Sequence, residues 1–467
     1  MEIKELYEIY KAHPVVTTDS RNCPEGSIFF ALKGETFDGN KFAIAAIEKG
    51  CAYAVVDDLT QCTMHNAQCT INESQFIEVD NVLDSLQQLA RYHREQLDIP
   101  FVGITGTNGK TTTKELVATV LSKKYRVHYT QGNFNNHIGV PLTLLSIKPD
   151  CEMAVIEMGA NHPGEIKALA DIALPTCGLI TNVGKAHLEG FGSLEGVINT
   201  KKELYDNLAE RGGHVFVNAA NPLLMKALDN AQCTTNGLEP WRKMHNVQLT
   251  TYSSNAEVSA DVNGRLLRCA PYVEFEWKSQ LSTHFVGAYN LDNMLAAITV
   301  GLHFGVAEED ICDAISNYVP ANNRSQLTKT ERNTLIVDAY NANPTSMMAA
   351  IDNFELMEGE NKLAILGDML ELGEQSEIEH QTIVRRLVES KIEKVILVGK
   401  EFCKCTMHNA QPTVLSLGEK CTIDNRFVVY ESLDALLESQ CVETLQSQLI
   451  LLKGSNGIGL YKLIPYL

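Results

Sequence analysis

Residues 105 to 113 read TGTNGKTTT and combine a Gly-Lys-Thr triplet with a second glycine just before it. Glycines let backbone N-H groups wrap an anion, the amine of Lys110 can reach nucleotide phosphates, and the hydroxyl of Thr111 can bind Mg²⁺. A full Walker pattern has glycine where Ile104 stands, so this is a shorter GxxGKT form, and a Gly-rich turn without a ligand is the alternative. The segment predicts a phosphate-binding loop with these members: Gly106, Thr107, Asn108, Gly109, Lys110, Thr111 and Thr112.

Three further polar residues follow apolar runs in the same part of the chain. Glu157 ends the run MAVIE, where its carboxylate could offer Mg²⁺ a hard oxygen ligand beside the loop. His187 follows LITNVGKA, and a surface or hydrogen-bonded histidine explains it as well as a metal site does, since Mg²⁺ prefers oxygen. Lys201 opens KKELYDNL, which predicts a helix start with a solvated charged face over Lys201, Lys202 and Glu203.

The elements that hold these residues alternate between short apolar strands and helices, which predicts an α/β protein of three domains. Residues 1–98 form a small mixed N-terminal domain, with strands in SIFFAL and CAYAVVD and a helix over NVLDSLQQLARYHREQL. Residues 99–321 form a central doubly wound sheet with strands FVGIT, MAVIEMG, GLITNVG and HVFVN. Residues 322–467 form a Rossmann-like C-terminal domain with strands TLIVDAY, KLAILGD, KVILVG and LILLKGS. Because ligands bind at the carboxyl ends of such strands, we expect a cleft shared by two domains that close on the substrate.

The composition indicates a soluble globular chain. It has 467 residues, of which 45% are apolar and 21% charged, and no apolar run is long enough to span a bilayer. The net charge of −19 opposes nonspecific binding to nucleic acid and to anionic lipid, so neither is expected as a partner. The amphipathic start lacks the apolar core of a secretory signal. We expect a cytoplasmic monomer.

The 13 cysteines include no CxxC pair, which favours reduced thiols. The heptad CTMHNAQ occurs at 62–68 and again at 405–411. Its spacing lacks the paired ligands of a zinc site, so surface loops are predicted rather than a metal centre.

The ordered motifs resemble those of the Mur ligases across the whole chain. They are TGTNGKTTT, VIEMGANHPGEI, TNVGKAHLEGFGS, TKKELY, VDAYNANPTSM, LGDMLELGEQSEIEH and LLKGSNGIGL, with GNFNNHIGVPLTLL at 132–145 and DSRNCPEGSIFFALKGETFDGNKF near the start. The resemblance implies that ATP phosphorylates the terminal carboxylate of UDP-N-acetylmuramoyl-tripeptide. The amine of D-alanyl-D-alanine then attacks the acyl phosphate, giving the pentapeptide precursor of peptidoglycan.

The resemblance also implies roles for individual residues. Two Mg²⁺ ions would be held by Thr111, Glu157, His187 and Lys201, the last as a carbamate formed with CO₂. The adenine nucleotide would contact Asn290, Asn293, Arg324 at the γ-phosphate and Asp338 at the ribose. The candidates for the UDP-linked substrate are Ser20, Arg21, Lys33, Asn133, Asn135 and Asn136. Near the acceptor dipeptide or the nucleotide they are Asn341, Asn343 and Ser346, which could also be ordinary turn residues.

Other functions remain open on the sequence. A sibling amide ligase, either another Mur ligase or a folylpolyglutamate synthase, shares the reaction type, although GNFNNHIGVP and LGDMLELG speak against both. A regulatory GTPase would need N-K-x-D, and NKLA at 361–364 does not supply it. A noncatalytic ATP-binding protein would have no use for Lys110, Glu157, His187 and Lys201 together.

Overall fold

The computed structural model describes residues 1–62, 73–229, 247–320, 324–408 and 421–467. Helices pack on parallel sheets in three successive units, which confirms the predicted α/β class. We name the units by their elements: the N-terminal unit spans Ile3–Glu95, the central unit Phe101–Asn317 and the C-terminal unit Gln326–Tyr466. Among the described helices, none is long and apolar enough to cross a membrane.

The N-terminal unit is a four-stranded parallel sheet in the order β1-β2-β3-β4 with three helices. Its elements are α1 Ile3–Ala12, β1 Val16–Thr17, β2 Ile28–Phe30, α2 Ala43–Glu48, β3 Tyr53–Val56, β4 Phe76–Glu78 and α3 Val82–Glu95. Helix α3 begins where the side chain of Asn81 accepts a hydrogen bond from Asp84 N, and it buries Leu86, Leu89 and Ala90 on one face. The predicted strands and helix of this part are confirmed.

The central unit is built on seven parallel strands in the order β11-β10-β9-β8-β5-β7-β6. Its first half comprises β5 Phe101–Thr105, α4 Lys110–Leu121, β6 Val127–Tyr129, α5 Gly139–Leu145, β7 Met153–Glu157, α6 Glu165–Ala173, β8 Cys177–Ile180, α7 Leu188–Phe191 and α8 Leu194–Glu210. Its second half comprises β9 His214–Asn218, α9 Pro222–Asp229, β10 Gln248–Ser253, β11 Val262–Asn263, β12 Arg265–Arg268, β13 Glu274–Trp277, β14 Ser279–Ser282, α10 Asn290–His303 and α11 Glu308–Asn317. Strands β5 and β7 are buried along their whole length, as parallel strands covered on both faces are.

Helix α8 corrects the prediction made for KKELYDNL. The helix begins at Leu194, because the hydroxyl of Ser193 accepts a hydrogen bond from Gly196 N, so Lys201 lies in its middle and not at its start. Lys201 is 2% exposed, and a solvated charged face is therefore wrong for it. The carboxylate of Glu203 accepts hydrogen bonds from Gly164 N and Lys167 N, both at 2.8 Å, and so caps the start of α6.

The C-terminal unit has a six-stranded sheet in the order β15-β16-β22-β17-β18-β21, parallel except for β15. Its elements are β15 Gln326–Lys329, β16 Thr334–Asp338, α12 Pro344–Leu356, β17 Lys362–Gly367, α13 Ser376–Glu389, β18 Lys394–Val398, α14 Lys400–Cys405, β19 Thr406–His408, β20 Cys421–Ile423, β21 Phe427–Tyr430, α15 Leu433–Glu438 and β22 Leu449–Lys453. The four predicted strands of this part correspond to β16, β17, β18 and β22.

The repeated heptad is only partly within the described residues. In the first copy Cys62 is buried, and 63–68 lie outside the described residues. In the second copy Cys405 ends α14 and Thr406–His408 form β19, paired in parallel with β20, while 409–411 lie outside. The surface-loop prediction is thus wrong for Thr406–His408, whose backbone groups are paired in a small sheet.

Candidate active site

A cavity of about 1040 Å³ lies where the central and C-terminal units meet. Its wall includes residues at the carboxyl ends of β7, β16 and β22 and, from the N-terminal unit, Gln87. The predicted site residues in its wall are Thr107, Asn108, Gly109, Lys110, Thr111, Thr112, Asn133, Asn135, Asn136, Glu157, His187, Asn290, Asn293, Arg324, Asp338, Asn341 and Ser346. The structure thus brings together residues from several stretches of the sequence that lie far apart.

The Gly-rich loop joins β5 to α4 and has no room for a side chain at Gly106 or Gly109. A Cβ at Gly106 would lie 2.0 Å from Thr181 Oγ1, and one at Gly109, where φ is +78°, would lie 2.6 Å from Asn293 Oδ1. Lys110 Nζ donates to the carbonyl oxygens of Gly106 at 2.7 Å and Thr107 at 3.1 Å, which holds the ammonium at the loop. Burial lowers the pKa of Lys110, and Glu157 opposes that shift.

The end of β8 braces this loop, a role that was not predicted from the sequence. Asn182 Oδ1 accepts from Asn108 N at 2.9 Å, Asn182 Nδ2 donates to Asn108 O at 2.9 Å, and Thr181 Oγ1 donates to the same carbonyl at 2.6 Å. The motif TNVG supplies both side chains, so their place just past a strand end was the available signal.

Glu157 is the buried carboxylate of the site, with 1% exposure. Its Oε1 accepts from Thr111 Oγ1 at 3.1 Å and Asn135 Nδ2 at 2.8 Å, whereas Oε2 has no hydrogen-bond partner among the described residues. A buried carboxylate oxygen without a donor, next to a hydroxyl, is a donor set that Mg²⁺ accepts. The residues therefore fit a divalent cation at Glu157 and Thr111.

Lys201 lies behind the wall of the cavity. Its Nζ is 3.4 Å from the carbonyl oxygen of Ala160, a wall residue, and 5.3 Å from the ring centre of Phe191. Burial, followed by the positive charge of Lys110, lowers the pKa of Lys201 to about 7. A substantial fraction of the amine is therefore neutral, and hence nucleophilic, near neutral pH.

His187 connects the central and C-terminal units. It has a left-handed backbone with φ of +50°, and its Nδ1 lies 2.5 Å from Glu371 Oε2, an ion-pair distance without hydrogen-bond geometry. The interaction with His187 lowers the pKa of Glu371. Glu371 also lines the cavity, although the sequence indicated only that it belongs to the motif LGDMLELG.

Across the described residues, no group of three or more His, Cys, Asp or Glu side chains is arranged to hold a metal.

The residues expected at the nucleotide form two clusters. Asn293 Oδ1 accepts from Thr113 Oγ1 at 3.1 Å and Asn293 Nδ2 donates to Asn290 at 3.0 Å, which joins α10 to α4. Across the cavity, the guanidinium of Arg324 stacks 3.9 Å from the ring centre of Tyr340, and its Nε has no partner among the described groups.

At the same side of the cavity, Asp338 pairs with Lys453, which the sequence did not single out. Lys453 is 1% exposed and its Nζ lies 2.5 Å from Asp338 Oδ2. The two residues are direct neighbours at the ends of β16 and β22.

Three candidates for the UDP-linked substrate lie away from the wall of the cavity. Arg21 pairs with Asp19 at 2.9 Å, Lys33 pairs with Asp57 at 2.8 Å, and the carbonyl oxygen of Ser20 accepts from a lysine amine at 2.7 Å. Their side chains are on the N-terminal unit, so only a ligand that extends out of the cavity could reach them.

On the C-terminal unit, Asn343 caps α12, since its Oδ1 accepts from Ser346 N at 2.9 Å. Asn343 lies behind the wall and contacts the Gly-rich loop through Asn108. The start of α12, which includes the candidates Asn343 and Ser346, therefore lies against the Gly-rich loop.

Comparison with known proteins finds the same family along the whole chain. Residues 14–94 match the Mur ligase family catalytic domain, residues 104–301 the Mur ligase middle domain, and residues 323–456 the Mur ligase glutamate ligase domain. The UDP-N-acetylmuramoyl-tripeptide–D-alanyl-D-alanine ligase of Bacillus subtilis is 38% identical over 82% of this chain and 80% of that protein. The ligase of the same name from Escherichia coli is 33% identical over 96% and 92%.

Solved structures give the same result for the fold. The crystal structure of MurF from Acinetobacter baumannii superposes with a TM-score of 0.78 at 28% identity, covering 96% of this chain and 92% of that one. MurF from Thermotoga maritima, in complex with ADP, superposes with a TM-score of 0.77 at 23% identity over 97% and 96%.

Proposed function

The chain belongs to the Mur ligase family, and from that premise we propose that it joins D-alanyl-D-alanine to UDP-N-acetylmuramoyl-tripeptide at the expense of ATP. The observation that carries this assignment is one cavity lined by a Gly-rich loop and a buried carboxylate, with a buried lysine of lowered pKa, Lys201, directly behind its wall. It occurs in a chain that matches ligases of this name over almost its full length.

The reaction needs no nucleophile from the protein. A carboxylate oxygen of the tripeptide attacks the γ-phosphorus of ATP, releasing ADP and forming an acyl phosphate. The amine of the dipeptide then attacks the acyl carbon, an amide bond forms, and inorganic phosphate leaves with the original carboxylate oxygen. Catalysis is therefore positioning and charge neutralisation, together with exclusion of water from the acyl phosphate.

Two cationic side chains can neutralise the negative charge that develops on the phosphoryl oxygens. Lys110 is held at the Gly-rich loop, and Arg324 presents an unpaired Nε at the cavity from the C-terminal unit. We assign Lys110 to the β- and γ-phosphates and Arg324 to the γ-phosphate. Asn290 and Asn293 are assigned to the adenine nucleotide and Asp338 to its ribose.

Mg²⁺ is part of the proposal, in two positions. Thr111 and Glu157 would hold one ion, and His187 with Lys201 the second; bound there, such ions neutralise phosphoryl charge. The support for the first position is the buried carboxylate of Glu157, whose Oε1 is bound by the hydroxyl of Thr111 and whose Oε2 accepts no hydrogen bond from the described residues.

Lys201 fits the proposed second position only if its charge is reversed. Its neutral amine can attack CO₂, forming an N-C bond and releasing a proton, and the resulting carbamate is anionic. The lowered pKa of Lys201 supports this step because it raises the fraction of neutral amine.

The substrate side and the organisation of the chain are proposed as follows. Asn133, Asn135 and Asn136 contact the muramoyl peptide, and Ser20, Arg21 and Lys33 the uridine diphosphate beyond the cavity. Asn341, Asn343 and Ser346 serve the acceptor dipeptide. The domains are 1–98, 99–321 and 322–467, and the second boundary falls within 321–323, outside the described residues. The protein is proposed to act as a cytoplasmic monomer without nucleic acid or membrane partners, with its described cysteines as free thiols.

A competition among acceptors tests the function against its sibling reactions. The purified chain, ATP, Mg²⁺ and UDP-N-acetylmuramoyl-tripeptide are incubated with D-alanyl-D-alanine, with glutamate or with no acceptor, and phosphate release is followed. Release that depends on both the tripeptide and D-alanyl-D-alanine is expected. A parallel reaction contains a folate substrate and glutamate in place of the tripeptide and D-alanyl-D-alanine. If phosphate is released only there, the chain is a folylpolyglutamate synthase, and the assignment is wrong.

A further inference from the structure

Helix α4 carries a second lysine that the proposed reaction does not use. Lys114 lies one helical turn after Lys110 and is 1% exposed. Among the described residues, Lys110, Thr111 and Glu157 line the cavity, whereas Lys114 does not. Its ammonium therefore approaches the site from the protein side.

The ammonium of Lys114 lies between two carboxylates and an aromatic ring. Its Nζ is 3.7 Å from Glu157 Oε2 and 3.8 Å from Glu115 Oε1, which are ion-pair distances longer than hydrogen bonds. The ring centre of Tyr129 on β6 lies 5.7 Å away. Glu115 is in turn bound by the hydroxyl of Tyr318 at 2.5 Å.

The oxygen that Lys114 faces is the one that Glu157 leaves without a hydrogen bond. Oε1 of Glu157 accepts hydrogen bonds from Thr111 and Asn135. Oε2 accepts none from the described residues, and the ammonium of Lys114 is its nearest cation. A carboxylate that is 1% exposed needs a compensating charge, since an unpaired buried anion is strongly destabilising.

We propose that Lys114 is the internal counter-ion of Glu157 and weakens the binding of a divalent cation there. This inference rests on the proposed function, in which Glu157 holds Mg²⁺. When no cation is bound, Lys114 balances the carboxylate from behind; when one is bound, the two positive charges repel each other inside the protein. Lys114 is a positioning residue, and its effect is a cation site that exchanges its ion readily.

The test measures cation affinity and not turnover. Mn²⁺, which takes the same oxygen ligands, is titrated into the full-length protein, and free Mn²⁺ is read by electron paramagnetic resonance. Lys114→Met has nearly the same volume without the charge and is expected to bind Mn²⁺ roughly tenfold more tightly or better. The same variant should have a lower Tm without Mn²⁺ and a larger rise in Tm with it.

Four further variants control the measurement. Lys123→Met also removes one positive charge, but from a residue just past α4 that pairs with Asp313, and it should leave the Mn²⁺ affinity unchanged. Lys114→Arg keeps the charge and should bind Mn²⁺ as the unaltered chain does. Glu157→Gln alone should abolish Mn²⁺ binding. The pair Lys114→Met with Glu157→Gln removes both charges and should recover the Tm that Lys114→Met loses, but it should not bind Mn²⁺.

The outcomes separate this inference from the proposed metal site. If Glu157→Gln leaves Mn²⁺ affinity unchanged, Glu157 is not a ligand, and both proposals are wrong. If Glu157→Gln abolishes binding but Lys114→Met binds Mn²⁺ no more tightly than the unaltered chain, the metal site stands and the counter-ion role is overturned.

Discussion

Asn108 in the Gly-rich loop and Asn343 at the start of α12 exchange side-chain hydrogen bonds between two units. Asn343 Nδ2 donates to Asn108 Oδ1 at 2.7 Å, and Asn108 Nδ2 donates to Asn343 Oδ1 at 3.4 Å. Lys185 and Glu379 add an ion pair between the same units at 2.5 Å. The Gly-rich loop and the start of α12 are therefore held against each other.

Replacing Asn343 by Asp tests this connection. The variant keeps an oxygen that can cap α12 at Ser346 N but turns the donor to Asn108 into an acceptor. The variant loses the hydrogen bond to Asn108 Oδ1 and places two acceptor oxygens against each other. It should therefore lower kcat/KM for ATP about 5- to 100-fold in steady-state assays. In an Asn108→Ala background the same change should add little; effects that multiply fully would show that the two residues are not coupled.

The carbamate proposed at Lys201 should depend on pH. Because burial lowers the pKa of Lys201 to about 7, the neutral amine that attacks CO₂ becomes more abundant as pH rises through that value. With ¹³C-labelled CO₂ held at constant dissolved concentration, the carbamate signal in NMR should grow from about pH 6 to about pH 8. Lys201→Arg should abolish the signal, while Lys202→Arg, at the neighbouring lysine that pairs with Asp206, should retain it. A signal that survives Lys201→Arg would contradict the assignment.

The turnover lost when the Lys201 amine is removed should be partly restored by carboxylic acids added to the solution. Lys201→Ala should lose most turnover while ADP still binds, because the Gly-rich loop is intact. Short carboxylic acids such as acetate should restore some turnover by supplying an anion in the vacated space. Loss of ADP binding in this variant, measured by calorimetry, would indicate a structural role for Lys201 instead.

Gly109 should not tolerate a side chain. Alanine there would combine a left-handed backbone at φ +78° with a Cβ 2.6 Å from Asn293 Oδ1, so ADP affinity in calorimetry should fall about tenfold or more. A Cβ added at Gly132, where φ is +52°, would meet no atom within 4 Å, so Gly132→Ala carries the backbone cost alone and should leave ADP affinity unchanged. Equal losses in both variants would refute the contact with Asn293.

Lys453 should be needed for stability, since it neutralises Asp338 in the interior. Lys453→Met leaves that carboxylate, whose side chain is 16% exposed, without its partner and should cost about 2–4 kcal/mol of unfolding free energy. Calorimetry should record a lower Tm, and adding Asp338→Asn should recover most of the loss. A double variant as unstable as Lys453→Met alone would argue against the pair.

The parts of the fold that the sequence predicted are those with a strong local pattern. Strand β5 is an unbroken apolar run followed by glycines and a helix, so its place and the loop after it could be read directly. The antiparallel strands β12, β13 and β14 were missed, although β13 alternates outward Glu276 with buried Phe275 and Trp277. Four-residue strands give too few repeats for the period of two to stand out.

The sequence singled out many of the residues that line the cavity, but not the contacts between them. Asn108 and Asn343 are 235 residues apart, and nothing local in either segment indicates that they bond to each other. Lys201 looked solvated because KKELYDNL is charged, yet its neighbours in space bury it. Burial of a single polar residue is set by tertiary packing, which sequence periodicity does not contain.

The most direct test of the assignment follows one oxygen atom. UDP-N-acetylmuramoyl-tripeptide labelled with ¹⁸O in its terminal carboxylate is incubated with the protein, ATP, Mg²⁺ and D-alanyl-D-alanine. The masses of the peptide product and of the released phosphate are then measured by mass spectrometry. We predict a pentapeptide whose mass is that of the two substrates less one water, and one ¹⁸O atom in each phosphate released. Phosphate without the label, or label transfer without the pentapeptide, would contradict ligation through an acyl phosphate.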